Sequence, residues 1–207
     1  MLSAMSVEFI SGKDHYDKVV ERVASVKKSL WIGTADIKDL HVKAGTKTKP
    51  FLGVLADLLK RGVEIRLIHA KEPGPAFRED FDRYPILKTG LERMLCPRVH
   101  FKMLIFDFDT AYIGSANLTG AGIGMKSSTR RNFEAGILTD DPALVEAASE
   151  QFDSVWRALR PLRSPPILHR PHQMILTFRS CKNLLQKSLR LAVNFSIYCS
   201  NVSPSFS

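Results

Sequence analysis

The chain predicts an α/β fold, a mixed β-sheet flanked by helices on both faces. Two observations carry that expectation. Between Val7 and about residue 160, short apolar runs with strand character alternate with segments whose apolar residues recur at helical spacing. Apolar residues make up 44% of the 207, enough to bury one core with some length to spare.

The elements follow in order. Val7–Ile10 is a short apolar run, and Asp14–Val26 places Tyr16, Val19, Val20, Val23 and Val26 at the spacing of one helix face. Leu30–Thr34 reads as a strand. Pro50–Arg61 is an amphipathic helix with proline at its start and Gly62 just past its end, the asymmetry that helix termini favour. Val63–His69, Val99–Phe106, Ala111–Ser115 and Phe133–Leu138 have strand character. Asp141-Pro142 opens a helix to about Leu159, with Leu144, Ala147, Ala148, Phe152, Val155 and Trp156 as its apolar stripe. Two polar stretches, His41–Lys49 and Glu72–Pro85, read as loops after strands, where α/β proteins keep binding residues.

The domain so defined covers residues 6–160, and residues 161–207 form a basic C-terminal extension. Residues 163–207 hold six Lys/Arg, eight Ser and no Asp, Glu or Gly, a composition that predicts a poorly ordered tail. The tail also carries most of the net charge of +9, since residues 1–162 hold 24 basic and 21 acidic groups. Net charge is therefore a weak pointer to a polyanionic partner. Cys96, Cys181 and Cys199 lack the spacing of a disulfide framework or a zinc site and read as free thiols of a reducing compartment. No apolar run approaches the roughly 18 residues of a membrane helix. Met1–Ser6 lacks the basic and apolar segments of a secretory signal. A cytoplasmic protein without a transmembrane segment is expected.

The chemistry concentrates in one stretch. His-x-Lys occurs three times, at His41/Lys43, His69/Lys71 and His100/Lys102, but only the third continues, with Asp107, Gly114, Ser115 and Asn117. Six fixed positions make a chance match on the order of one in 10⁵ to 10⁶ for a chain this long. Strand alternation puts His100 and Lys102 on one face and Asp107 on the other, where it reads as a structural anion pairing a nearby base. A hairpin centred on Phe108-Asp109 would oppose His100 to Asn117 and Lys102 to Ser115, gathering four polar groups on one face. Phe101, Met103 and Ile105 would fill the other. Taken singly, each polar residue is an ordinary strand or cap residue; together they would be costly to bury without a task.

These residues resemble the HKD signature of the phospholipase D superfamily. Arg131-Asn132-Phe133-Glu134-Ala135-Gly136-Ile137-Leu138 and the helix that follows are similar to the usual continuation of such a domain, and residues 55–66 to its approach. The resemblance covers about residues 6–160. It implies a phospholipase D-like fold and a metal-independent displacement at phosphorus, with no cofactor. His100 would form a covalent phosphohistidine or protonate the leaving oxygen. Lys102 and Asn117 would bind phosphate oxygens, Ser115 would add a hydrogen bond, and Glu134 would hold the histidine ring. Gly114 and Asp107 would be structural.

The family chemistry uses two histidines, and this chain has one complete motif. A two-fold homodimer with His100 from both chains at a shared site resolves this, as in the short single-motif bacterial endonucleases of the superfamily. That architecture, the basic stretch Lys43, Lys47 and Lys49, and Arg130-Arg131 favour a nucleic-acid substrate. The alternatives are a lipid phosphodiesterase of the phospholipase D type and a non-catalytic nucleic-acid-binding domain. Metal-free cleavage assays on His100→Ala separate them.

Overall fold

In a computed structural model, residues 5–38, 40–44 and 47–159 are described, and the tail expected over residues 161–207 lies outside them. The chain runs β1 (Val7–Ser11), two short helical turns (His15–Val20, wide-wound, and Glu21–Ser25, tight-wound), β2 (Ser29–Thr34), β3 (His41–Ala44) and β4 (Lys47–Pro50). It continues through α1 (Phe51–Lys60), β5 (Glu64–His69), α2 (Pro75–Arg83), α3 (Ile86–Gly90) and β6 (Leu91–Leu95). β7 (Lys102–Phe106), β8 (Thr110–Gly114), β9 (Ala135–Thr139) and α4 (Pro142–Leu159) complete it. Seven strands form one sheet in the order β1-β9-β8-β7-β2-β5-β6. β2, β5 and β6 are parallel and the other pairs antiparallel, so the sheet is mixed, as the alternation of elements predicts.

Both faces are covered. On one, the helical turns at 15–25 and α1 close over Leu30, Ile32, Leu104, Phe106 and Tyr112. On the other, α4 lays Val145, Ala148, Phe152 and Trp156 against Trp31, Ile68, Met103, Ile105 and Ala111. The buried stripe of α4 is thus 145-148-152-156, and Leu144 and Ala147 fall on its outer flank. The α4 start is capped by Asp141, whose Oδ1 accepts the N–H groups of Ala143 at 2.8 Å and Leu144 at 3.3 Å. Among the described residues no helix is long and apolar enough to cross a membrane.

Several expectations need correction. His41–Lys49 is not a loop: Val42 is buried and β3 pairs with β4 in an antiparallel hairpin, an arrangement hidden by the polarity of its outward residues. Glu72–Pro85 contains α2, started by Pro75 and anchored by buried Phe77. The expected helix over 14–26 is instead two differently wound turns, which bury the same valines. α3 and β6 were not expected at all.

The register of the β7–β8 hairpin also differs. Lys102 pairs with Gly114, not Ser115, and Phe106 with Thr110, leaving a three-residue turn centred on Phe108. Asp107 and Phe108 both take left-handed backbone (φ 53° and 60°). Such a conformation costs a non-glycine residue roughly 1–2 kcal/mol, and composition does not advertise it for phenylalanine. The anchor is Asp107, whose N–H donates to Ser29 O at 2.8 Å and whose carboxylate receives the N–H groups of residues 27–29. Ser115 and Asn117 consequently stand past the end of β8, not opposite His100 and Lys102 within a ladder.

Candidate active site

The sheet brings one end of five strands together: the C-terminal ends of β2, β5 and β8 and the N-terminal ends of β7 and β9. His100 precedes β7, Ser115 follows β8, and Glu134 precedes β9, so three residues far apart in sequence share this end.

His100 is exposed, whereas Lys102 is 5% exposed and reaches back along the strand. Its Nζ donates to His100 O at 2.7 Å and lies 3.3 and 3.4 Å from the ring nitrogens Nδ1 and Nε2. Burial disfavours the ammonium and lowers its pKa from the usual lysine value, while the Glu134 charge acts in the opposite sense.

Glu134 is held from two sides. Ser115 Oγ donates to its Oε2 in a very short hydrogen bond, and Asn132 Nδ2 donates to Oε1 at 3.0 Å. The expected bond from Glu134 to the imidazole is not the one formed; its oxygens face Ser115 and Asn132, and the ring's hydrogen-bonding neighbour is Lys102. Ser115 Oγ in turn accepts the Ala135 N–H at 3.1 Å, and Ser115 N–H donates to Ala135 O at 2.9 Å. These bonds fasten the residue after β8 to the start of β9.

Asn117 is oriented from the opposite side. Its Oδ1 accepts the Asp36 N–H at 3.1 Å and lies 3.4 Å from Thr34 Oγ1, which itself accepts the Leu118 N–H at 3.3 Å. With the amide oxygen committed, the amide nitrogen remains a donor. Thr34 and Asp36 were invisible to sequence reasoning, because each acts through a long-range bond rather than a local pattern, whereas Asn132 stands in the family-like continuation and acts on Glu134 two residues on.

Asp107 stands at the far end of the hairpin. It accepts N–H bonds from Lys27 (3.0 Å), Lys28 (2.6 Å) and Ser29 (2.9 Å). Burial alone would raise its pKa, but these bonds and the Lys28 charge bring it below the usual carboxylate value. The expected structural anion is therefore paired mainly by backbone amides. Gly114 has no room for a side chain: a Cβ there would lie 2.3 Å from Tyr112 Oη.

The basic residues divide. Lys43 is exposed, while Lys49 is tied to Asp57 in a salt bridge. Lys47 falls in β4. Arg130 is exposed and donates to Ser127 Oγ at 3.3 Å, and Arg131 is half-buried. Both arginines lie on the segment that returns through Asn132 to Glu134. His69, fully buried at the end of β5, is a structural residue: Nδ1 bonds Lys71 O at 2.6 Å and Nε2 accepts Arg93 Nε–H at 2.7 Å. Burial, then the Arg93 charge, lowers its pKa.

Comparison with known proteins places this arrangement. The chain matches solved structures of Nuc from Salmonella typhimurium, a phospholipase D family member (21% identity, 77% of this chain and 99% of that one, TM-score 0.57). It also matches NucT from Helicobacter pylori (14% identity, 74% and 96%, TM-score 0.55). A third match is TrmBL2, an archaeal chromatin protein (17% identity, 76% and 54%, TM-score 0.52). At these identities the likeness is one of fold. No curated protein matches the chain. The family model described as "Cardiolipin synthase, PLD-like domain" matches residues 19–156, well over half the sequence and all of the motif from His100 to Asn117. The chain belongs to the phospholipase D-like domain family.

Proposed function

We propose that this protein is a metal-independent phosphodiesterase that cleaves DNA or RNA through a covalent phosphohistidine at His100. The observation that carries the reading is the pairing of an exposed imidazole with the largely buried Lys102 ammonium at 3.3 and 3.4 Å, beside the Glu134 carboxylate. One ring nitrogen of His100 attacks phosphorus and expels the leaving alkoxide, and water then displaces the histidine. Lys102 and the Asn117 amide nitrogen take the non-bridging oxygens, whose negative charge grows as the nucleophile closes. Ser115 and Glu134 hold the wall of the site. The proton for the leaving oxygen comes from a second imidazole, supplied by His100 of another copy across a two-fold axis. Phe133, next to Glu134 and fully exposed, provides apolar surface at the rim for that contact. The fold of Nuc and NucT, together with exposed Lys43 and Arg130, favours a nucleic acid as the diester.

The test is cleavage of supercoiled DNA and of single-stranded RNA in EDTA, by wild type and His100→Ala, with sedimentation to fix the oligomeric state. Cleavage of either polymer without metal, abolished in His100→Ala, is expected from a dimer. Cleavage of neither, or cleavage retained in the variant, defeats the catalytic reading. An active monomer defeats the shared site alone.

A further inference from the structure

Where β2 and β8 run past the sheet, one buried hydroxyl joins the chains that leave them. β7 lies between these two strands and starts at Lys102. Past their ends the two chains meet: Ile37 and Leu118 form a parallel bridge, and Lys38 N–H donates to Leu118 O at 3.0 Å. Thr34 ends β2, two residues before Asp36, and has no exposed surface. In the β2–β7 register Leu30 and Ile32 oppose Phe106 and Leu104. The same alternation sets the Thr34 and Lys102 side chains on one face of the sheet.

Proton accounting fixes the bonds. A threonine hydroxyl has one proton to give and two lone pairs. The proton goes to Asp36 O at 2.8 Å, and the oxygen accepts the Leu118 N–H at 3.3 Å. Asp36 is thereby held at its carbonyl, while its N–H donates to Asn117 Oδ1 at 3.1 Å. That last bond sets the sense of the amide. The two ends of a carboxamide have nearly the same shape, but only the oxygen can accept a backbone N–H. Nδ2 is then left as the donor. Valine matches threonine in shape and would suit a fully buried strand end, so burial alone does not call for the hydroxyl.

Resting on the diesterase reading above, we infer that Thr34 is a positioning residue for the reaction: by holding the Asp36 carbonyl and the Leu118 N–H, it fixes the Asn117 amide with its nitrogen toward the phosphate. Asn117 is gripped twice through this hydroxyl, at its side chain by way of Asp36 and at its backbone by way of Leu118. A donor that meets charge growing on a phosphate oxygen works best when it is already in place. Misplacement of such a group by about 1 Å costs on the order of 100-fold in rate. Lys102 is held separately, by His100 O. The effect of Thr34 therefore runs through Asn117.

The experiment uses the full chain with bis(p-nitrophenyl) phosphate in EDTA, comparing wild type, Thr34→Val, Thr34→Ser, Asn117→Ala and the double variant Thr34→Val/Asn117→Ala. NMR relaxation of the Asn117 side-chain amide reads its order independently of turnover. Valine keeps the shape and loses the hydroxyl; serine keeps the hydroxyl. Thr34→Val is expected to lower kcat by about 10- to 100-fold with little change in KM, and Thr34→Ser to stay within about threefold of wild type. In the Asn117→Ala background the valine should cost no more than about twofold, since the group it misplaces is gone. The Asn117 amide should lose order in Thr34→Val and keep it in Thr34→Ser. A kcat like wild type's in Thr34→Val overturns the inference, as does an equal loss in Thr34→Ser. The same fold loss with and without Asn117 also overturns it, because a general weakening of the fold would give that. Unchanged order of the Asn117 amide in Thr34→Val overturns it whatever the activity. Should valine unfold the chain, Thr34→Ala takes its place in the same comparisons. A wild type that cleaves nothing defeats the diesterase reading, and with it the link to reaction, while the order of the Asn117 amide still decides whether Thr34 holds it.

Discussion

At the Asp107 end of the β7–β8 hairpin a carboxylate takes three backbone N–H groups and closes a turn in left-handed backbone. At the other end, a five-residue strand or roughly 17 Å away, an imidazole is left in solvent beside an ammonium whose charge burial disfavours. Both belong to one sequence motif. One end lowers the energy of the fold, and the other holds groups in a state that water would relieve. The difference teaches that a motif is not a site: its residues divide between those that fix the strand and those that strand presents.

The largest test of that division is at the open end. His100→Ala should cost at least about 10³-fold in metal-free diesterase activity, since a covalent step has no substitute nucleophile. Its melting temperature should stay close to wild type's, because an exposed side chain contributes little to stability. A variant that unfolds would break the comparison. At the closed end the signs reverse. Asp107→Ala removes three hydrogen bonds to a charged acceptor and should destabilise by about 2 kcal/mol, discounted because the Lys27 and Lys28 amides can reach water. The folded fraction should keep most of its activity. Acid sharpens this. The folded pKa of Asp107 lies below the unfolded value of 3.8, so its contribution is complete above that value. The contribution is lost as pH falls through the folded pKa. Urea melts of wild type and Asp107→Asn should therefore differ at neutral pH and converge in strong acid.

A smaller effect belongs to Lys102. Because its pKa is lowered, raising pH should remove its charge earlier than for an ordinary lysine, whose reference value is 10.5. Phosphate binding is expected to weaken on an alkaline limb below that value, read as a rise in KM for bis(p-nitrophenyl) phosphate. Lys102→Arg cannot lose its charge in that range and should abolish the limb, whatever its effect on the rate.

The sequence carried much of this fold and only part of the site. Strands β2, β5, β7 and β8 and helices α1 and α4 announce themselves by apolar periodicity, and His100, Lys102, Ser115 and Glu134 do converge at one sheet end. The register of β7 and β8 was missed because it depends on two left-handed residues, one a phenylalanine, and on an anchor to residues 27–29 about eighty positions away. The partners of Asn117, the Ser115–Glu134 bond and the Tyr112–His15 pair are likewise tertiary bonds with no local signature. The β3–β4 hairpin was hidden for another reason: with one side polar and basic it matched the composition of a loop.

The smallest expected effect comes from that hairpin, and it asks how far the open end extends. If the substrate is a polyanion whose backbone crosses β3–β4, each lysine that neutralises a phosphate adds about 0.9 to the slope of log K against log salt for duplex DNA. Lys43 and Lys49 lie on paired strands but on opposite faces of the hairpin, since Lys49 is opposite buried Val42 and Lys43 opposite Thr48, and they differ in their engagement: Lys43 is exposed and Lys49 is bound to Asp57. A carboxylate already holding Lys49 takes the place of the counterion that a phosphate would release. Lys43→Ala should therefore reduce the salt slope by close to one, with a loss of affinity of only a few-fold at moderate salt. Lys49→Ala should leave the slope nearly unchanged and cost a little stability instead, the return for an exposed ion pair being at most about 1 kcal/mol. Fluorescence anisotropy of a labelled oligonucleotide with the His100→Ala background, across a salt series, reads both slopes without turnover. Slopes in both variants unchanged from that of the parent would mean that the hairpin lies off the nucleic-acid path, and the open end would then be confined to the strand ends around His100.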